Sequence, residues 1–270
     1  MHSNQQRRHG RQPAACALAA VLLAHLCGCA TGPNRNPADP LEPLNRGTAR
    51  FNDALDRNIF QPVARTYNRA VPSPIRTGVG NFFSNLGDVT VMFNDFAQLR
   101  LSDGMNDLMR IAVNSTFGLL GVIDIATPAG IAKRDQDFGL TLGHYGMSSG
   151  PYLVLPLFGP STFRDAAGFG VDLYIAPVSH ARPAVRNTLW GIDFVSSRAR
   201  YLNVTDLLEQ AALDRYLFMR DAYLGRRRFQ LNEGKEQPLP DYGSENGSGN
   251  TGGKVGANRG HTGAPSGQAE

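Results

Sequence analysis

The stretch SPIRTGVGNFFSNL, Ser73–Leu86, places Ile75, Val79, Phe82, Phe83 and Leu86 at i, i+4, i+7, i+8 and i+11. That spacing follows the 3.6-residue turn and puts all five side chains on one helical face. Ser73-Pro74 has the form of a helix start, a capping serine followed by proline at the first helical position. Working outward, Asp88 is placed to cap a second helix with Val89, Met92, Phe93 and Phe96 on one side. Ser102 is placed to cap a third with Met105, Leu108, Met109, Ala112 and Val113. Upstream, Leu44, Phe51, Leu55 and Ile59 suit a first helix that ends near Pro62. Downstream, Asn203 to Leu213 and Asp214 to Leu224 read as two more, with Gly225 as the stop of the last. Alternating strand patterns are scarce. The expectation is a mainly α protein built as a single helical domain.

One segment breaks the pattern. FGLLGVIDIATPAGI, Phe117–Ile131, is apolar but interrupted by Gly118, Gly121, Asp124 and Pro128. It is too short and too broken to span a bilayer as one helix. A bent apolar hairpin fits better, either a turn buried in the core or a loop in contact with lipid. A second apolar run, Tyr152–Phe158, is split by Pro156.

The chain has 270 residues, with 27 Lys and Arg against 23 Asp and Glu. Arg7, Arg8 and Arg11 precede every acid, so without the first 28 residues the balance is 24 against 23. A nearly neutral chain with no long basic run makes nucleic acid a poor candidate partner. Those arginines, the apolar run Ala14–Leu26 and then Leu26-Cys-Gly-Cys29 resemble a bacterial lipoprotein leader, with Cys29 as the lipidated residue. Cys27 follows Ala24-His-Leu26, a poorer site. A diacylglycerol and an N-acyl chain on Cys29 make a lasting anchor, at about 0.8 kcal/mol per buried methylene. The reading divides the chain into a leader, 1–28, a lipidated tether, 29–38, a helical domain, 39–237, and a tail, 238–270. Nine of the last 28 residues are glycine, a composition that cannot bury a core.

Chemistry-bearing motifs are few. Cys16, Cys27 and Cys29 all precede the domain, which leaves it no thiol for a disulfide, a metal or catalysis. Gly146-Met-Ser148-Ser-Gly150 matches the nucleophile elbow, and Asp165 or Asp172 with His180 keeps the hydrolase order. The elbow needs a strand before the serine and a helix after it, whereas Pro151 and a second proline follow here. Asp137-Phe-Gly139 spells the kinase metal-binding triplet without its companion motifs. His144 and His180 lack zinc-site spacing. Asp53 with Asp56, and Asp135 with Asp137, read as solvated positions. Arg226-Arg-Arg228 follows the expected helix end, where it complements the helix dipole or meets anionic headgroups.

Several strings in order resemble the MlaA (VacJ) family of outer-membrane lipoproteins. They are Asp39-Pro-Leu-Glu-Pro-Leu-Asn-Arg46, Phe51-Asn52, Pro62-Val-Ala64, Val71-Pro-Ser-Pro74, Asn81-Phe82 and Asn85-Leu86. Asn114 with Gly118, Gly121 and Ile123-Asp124 comes next, then Thr141-Leu-Gly-His-Tyr-Gly146, Gly150-Pro-Tyr152 and Arg164-Asp165. Arg220, Ala222-Tyr223 and Arg226 close the match; Pro43 departs from the family's frequent glycine.

The resemblance implies a Gram-negative outer-membrane protein, lipid-anchored and facing the periplasm. It would be a helical ring in the inner leaflet with an amphipathic central channel. Its implied task is to remove misplaced phospholipid from the outer leaflet, preserving lipid asymmetry. Implied partners are a trimeric porin and the periplasmic carrier MlaC, which returns lipid to the inner membrane. No bond is broken, so no catalytic residue, metal or cofactor is expected beyond the acyl chains on Cys29. Leu119, Leu120, Val122, Ile123 and Ile125 are the expected apolar hairpin beside the channel, with Phe51 on the first helix. Two rivals are a lipoprotein hydrolase using Ser148 and a purely structural porin-binding lipoprotein.

Overall fold

The computed structural model describes residues 39–204 and 214–232. Cys29, the leader, the tether, the tail and most of the expected Asn203–Leu213 helix lie outside the described residues. Those residues form eight α-helices and one β-hairpin, so the mainly helical expectation stands.

Helix α1, Glu42–Leu55, carries Pro43 and Glu42 in its first turn, where a missing N–H is harmless and a negative charge favourable. It runs through a π-helical turn, Asp56–Phe60, straight into α2, Gln61–Ala70. The expected end at Pro62 is therefore corrected. Pro62 falls in the first turn of α2, just past the widened π turn. Helix α3, Ser73–Ala97, is one unbroken element, and Asp88 is buried in its middle instead of capping a second helix. Helix α4, Leu101–Thr116, starts without a side-chain cap, so Ser102 does not play that part.

After the loop 117–137 comes α5, Phe138–His144, capped by Asp137, whose carboxylate accepts from the Leu140 N–H at 2.9 Å. Strands β1, Tyr152–Leu155, and β2, Gly159–Thr162, pair antiparallel with Tyr152 opposite Thr162 and Leu155 opposite Gly159. Sequence alone gave no strand here. The turn at Pro156–Phe158 hides the pairing, and Gly-Pro-Ser-Thr has no apolar alternation. Helix α6, Phe163–Ile175, is capped by Thr162. A 3-10 turn, Pro177–His180, leads to α7, Pro183–Arg200. Helix α8, Arg215–Leu231, is capped by Asp214 and runs past Gly225, which is no stop.

Packing shows which way the faces point. Among the described residues, eighteen polar or charged side chains are buried against eight apolar ones, three of which are alanines. Thirty large apolar side chains are exposed. Helices α3 and α4 pack extensively, antiparallel, through their polar sides. On α3 the buried positions are Gly78, Gly80, Asn85, Asp88, Asn94 and Asp95; on α4 they are Gly104, Asp107, Arg110 and Asn114. Ile75, Phe93, Leu101, Met105, Leu108 and Met109 point outward. A water-soluble helix pair does the reverse.

Two small apolar clusters complete the interior. Ala64 of α2 meets Ala199 of α7 and Leu202, with Tyr67 beside them. Tyr152 and Val154 of β1 meet Tyr216 of α8. Helices α5 and α6 cross at two glycines; a Cβ on Gly168 would lie 2.3 Å from the Gly139 nitrogen. No helix among the described residues is long and apolar enough to cross a membrane.

Candidate functional site

The segment after α4 is a hairpin pinned from inside by polar groups. Asn114 Oδ1 accepts from the Ile125 and Ala126 N–H groups at 2.8 and 2.9 Å, and its Nδ2 donates to Asp124 at 3.1 Å. Asp124 also accepts from the Thr127 N–H and hydroxyl. Burial would raise its pKa, but the Thr127 and Asn114 hydrogen bonds and the Arg110 charge outweigh it and hold the carboxyl below the usual range. Arg110, fully buried, donates to the Ile131 carbonyl at 2.5 Å and to Thr127 at 3.2 Å. From α3, Asn81 donates to the Val122 carbonyl and Asn85 to Ser115.

The glycines that interrupted the apolar run are steric requirements. A Cβ on Gly118 would sit 2.1 Å from the Ile123 carbonyl oxygen, and Gly121, at φ +90°, has the Asn85 side chain 2.6 Å from that position. Leu119 and Leu120 hold φ of 52° and 59°, a left-handed conformation that costs a leucine roughly 1–2 kcal/mol. Both are about two-thirds exposed. Leu119, Leu120, Val122, Ile123 and Ile125 are all exposed on this hairpin, as is Phe117 at its base. Buried polar pins and exposed apolar tips distinguish this hairpin from a core turn.

A second feature lies between α1, the β-hairpin, α7 and α8: a cavity of about 860 Å³. Its lining carries several charged side chains. Arg46 forms a paired bridge to Asp214 at 2.8 and 3.3 Å, and also meets Glu42 at 2.8 Å. The Arg46 hydrogen bonds draw the Asp214 carboxyl below its usual range. Arg198 clasps Asp56 at 2.6 and 2.7 Å, and Arg215 lies 3.4 Å from Asp53. Apolar side chains line the same cavity: Leu157, Phe158, Phe194 and Met219, with Phe194 one turn from Arg198 on α7 and Met219 one turn from Arg215 on α8. Such a cavity suits a ligand with a charged head and apolar tails. Phe51 does not line it; its ring is exposed on α1 between two residues that do, Arg50 and Asn52.

The asparagines of α1 fix the cavity roof. Asn45 donates to the Tyr152 carbonyl and accepts from the Val154 N–H, both at 2.9 Å. Asn52, two helical turns on, does the same for the Leu155 carbonyl and the Leu157 N–H. Seven residues apart, they stand in for a third strand along the free edge of β1. The sequence shows both asparagines but not the edge they cover.

The hydrolase constellation does not form. Ser148 lies in a loop that leads into a strand, the reverse of an elbow. Asp165 is taken by Arg164, Tyr223 and Arg227, and Asp172 by Asn94 and the Phe138 N–H. His180 faces the Ala176 carbonyl. Among the described residues no group of three His, Cys, Asp or Glu is placed to hold a metal ion.

The basic triplet splits into three roles within α8, which corrects its reading as a cluster past a helix end. Arg227 is buried and grips Asp137 and Asp165 at 2.5–3.0 Å. Arg226 pairs at the surface with Asp135, and Arg228 turns to the Leu224 carbonyl. Asp137, still partly exposed, caps α5 and pairs with Arg227, and Asp53 and Asp56 line the cavity. Sequence reasoning also missed the buried pair Asp95 and Asp107 across the α3–α4 seam.

Comparison with known proteins finds close similarity over the described domain. The family model described as MlaA lipoprotein matches residues 37–230. The intermembrane phospholipid transport system lipoprotein MlaA of Escherichia coli is 36% identical over 230 residues, covering 83% of this chain and 90% of its own length. The Haemophilus influenzae protein of the same name is 34% identical over 241 residues, covering 83% and 95%. A solved structure described as the structural basis for maintenance of bacterial outer membrane lipid asymmetry superposes with a TM-score of 0.64. It is 36% identical and covers 73% of this chain and all of its own.

Proposed function

The chain belongs to the MlaA lipoprotein family, and we infer from that footing that it is an outer-membrane lipoprotein of intermembrane phospholipid transport that maintains lipid asymmetry. It is a transport protein and not an enzyme. The observation that carries the reading is the inverted burial. Asp88, Asp95, Asp107 and Arg110 are inside while Leu, Met and Phe side chains face out. Exposed apolar area on this scale is stable only against other apolar matter. A lipid leaflet supplies that along whole helices.

In this reading the helices lie in the inner leaflet as a ring, anchored through acyl chains on Cys29. The cavity is part of an amphipathic channel. Its charged side chains carry the headgroup, because an unpaired charge in hydrocarbon is costly, and its apolar side chains carry the tails. The hairpin of Leu119, Leu120, Val122, Ile123 and Ile125 rides in the acyl layer beside it, with Phe51 on the same lipid-facing side. A trimeric porin holds the protein in place, and the carrier MlaC receives the lipid. The domain limits 1–28, 29–38, 39–237 and 238–270 belong to the same proposal.

The test is outer-leaflet phospholipid in a strain lacking the gene, complemented with wild type, Cys29→Ala, Ile123→Asp and Ser148→Ala. Wild type and Ser148→Ala restore asymmetry; Cys29→Ala and Ile123→Asp, at normal protein levels, do not. Unchanged asymmetry on loss of the gene overturns the transport reading, and normal asymmetry with Ile123→Asp overturns the hairpin assignment.

A further inference from the structure

Resting on the reading of the cavity as a lipid path, the geometry points to Arg50 as the residue that recognises the phosphodiester of the moving lipid. Four guanidinium groups line the cavity. Three are held by carboxylates: Arg46 by Asp214 and Glu42, Arg198 by Asp56, and Arg215 by Asp53. Arg50 makes no ion pair among the described residues. Its single hydrogen bond runs from Nε to the Arg46 carbonyl, one turn back on its own helix, at 3.3 Å. The two Nη groups therefore keep their donors for a ligand.

That single bond has a positioning effect. It ties the base of the guanidinium to α1 and leaves the planar end free. A planar fork with parallel N–H groups matches two oxygens of a phosphate, and does so better than an ammonium. The paired arginines cannot act this way without abandoning their carboxylates, which would leave Asp56 or Asp214 uncompensated. Leu157, Phe158 and Phe194, which line the same cavity, offer acyl chains a surface. The chemistry selected is a phosphodiester carrying diacyl tails, and a neutral diacylglycerol lacks the group that Arg50 reads.

The experiment uses the full-length lipidated protein in detergent. Binding is measured for dihexanoyl phosphatidylethanolamine, dihexanoylglycerol and inorganic phosphate, with wild type, Arg50→Gln and Arg50→Glu. Wild type should prefer the phospholipid over the diacylglycerol. Loss of a charge-assisted contact should weaken phospholipid binding about tenfold to a hundredfold in Arg50→Gln, with diacylglycerol binding and the thermal midpoint unchanged. Arg50→Glu should bind at least as weakly as Arg50→Gln. Wild-type affinity in either variant overturns the assignment of Arg50 and leaves the cavity reading in place. If wild type itself binds no phospholipid, the cavity reading fails and the assignment with it. Displacement of the lipid by millimolar inorganic phosphate would reassign the site to the free anion.

Discussion

Replacing Arg110 with methionine tests whether the polar seam holds the apolar hairpin. The Arg110 side chain is 2% exposed. It sits 3.4 Å from Asp88, 3.5 Å from Asp124, 3.2 Å from the Thr127 hydroxyl and 2.5 Å from the Ile131 carbonyl. Methionine fills part of the volume but offers no donor. The Ile131 carbonyl and Thr127 lose a buried partner, and Asp88 keeps only the half-exposed Lys133. Breaking a buried ion pair from one side costs about 3–5 kcal/mol. At about 2–4 °C per kcal/mol for a domain of this size, the thermal midpoint should fall by roughly 6–20 °C. Arg226→Met is the matched control. Arg226 and Asp135 are each about two-thirds exposed, a setting in which an ion pair contributes about 0–1 kcal/mol and its loss shifts the midpoint by under about 4 °C. Loss of helical circular dichroism on heating, in one detergent, gives both numbers. A shift for Arg110→Met no larger than that for Arg226→Met would refute the claim that buried polar contacts organise this fold.

Two further expectations follow from the same seam. Burial and the nearby Asp95 carboxyl raise the Asp107 pKa to about 7, and burial raises Asp95 as well. A raised carboxyl binds its proton more tightly in the folded state, so stability is full below the ordinary carboxylate range and is lost as pH rises towards 7. The midpoint of wild type should therefore drop between pH 5 and pH 8, and Asp107→Asn should flatten that slope; an equal slope in the variant sinks the assignment of the pH dependence to Asp107. At the hairpin, Gly121→Ala places a methyl 2.6 Å from Asn85 at a φ of +90°. It should lower the midpoint and impair outer-leaflet clearance together, whereas Gly87→Ala, with nothing within 4 Å, should do neither. The two are separable by melting the purified variants and measuring surface phospholipid in complemented cells.

The helices were legible because apolar residues recur at helical spacing whether they face a core or a lipid. For the same reason their orientation was not. Ile75 and Phe93 mark faces of α3 correctly as apolar, yet the buried side belongs to Asn85, Asp88 and Asp95. Stops failed where tertiary contacts override local preference. Gly225 does not end α8 because Arg227, two residues on, is gripped by Asp137 and Asp165 from other elements. Asp88 resembled a cap because a lone acid before an apolar run has that form; its partners, Arg110 and Lys133, are 22 and 45 residues away. The hairpin residues 119–125 were legible from composition. The cavity was not, since its walls come from α1, β1, α7 and α8, far apart in sequence.

The reversed interior bears on how the chain can change over generations. In a water-soluble protein, drift is free on the outside and restrained within. Here an outward Leu101 or Met105 can become any other apolar residue with little consequence, but not a charge. Inside, Asp88 and Arg110 can be exchanged only if their partners change in concert. Variation among descendants of this chain should therefore be loose but uniformly oily on the rim, and should move through the middle in coordinated pairs.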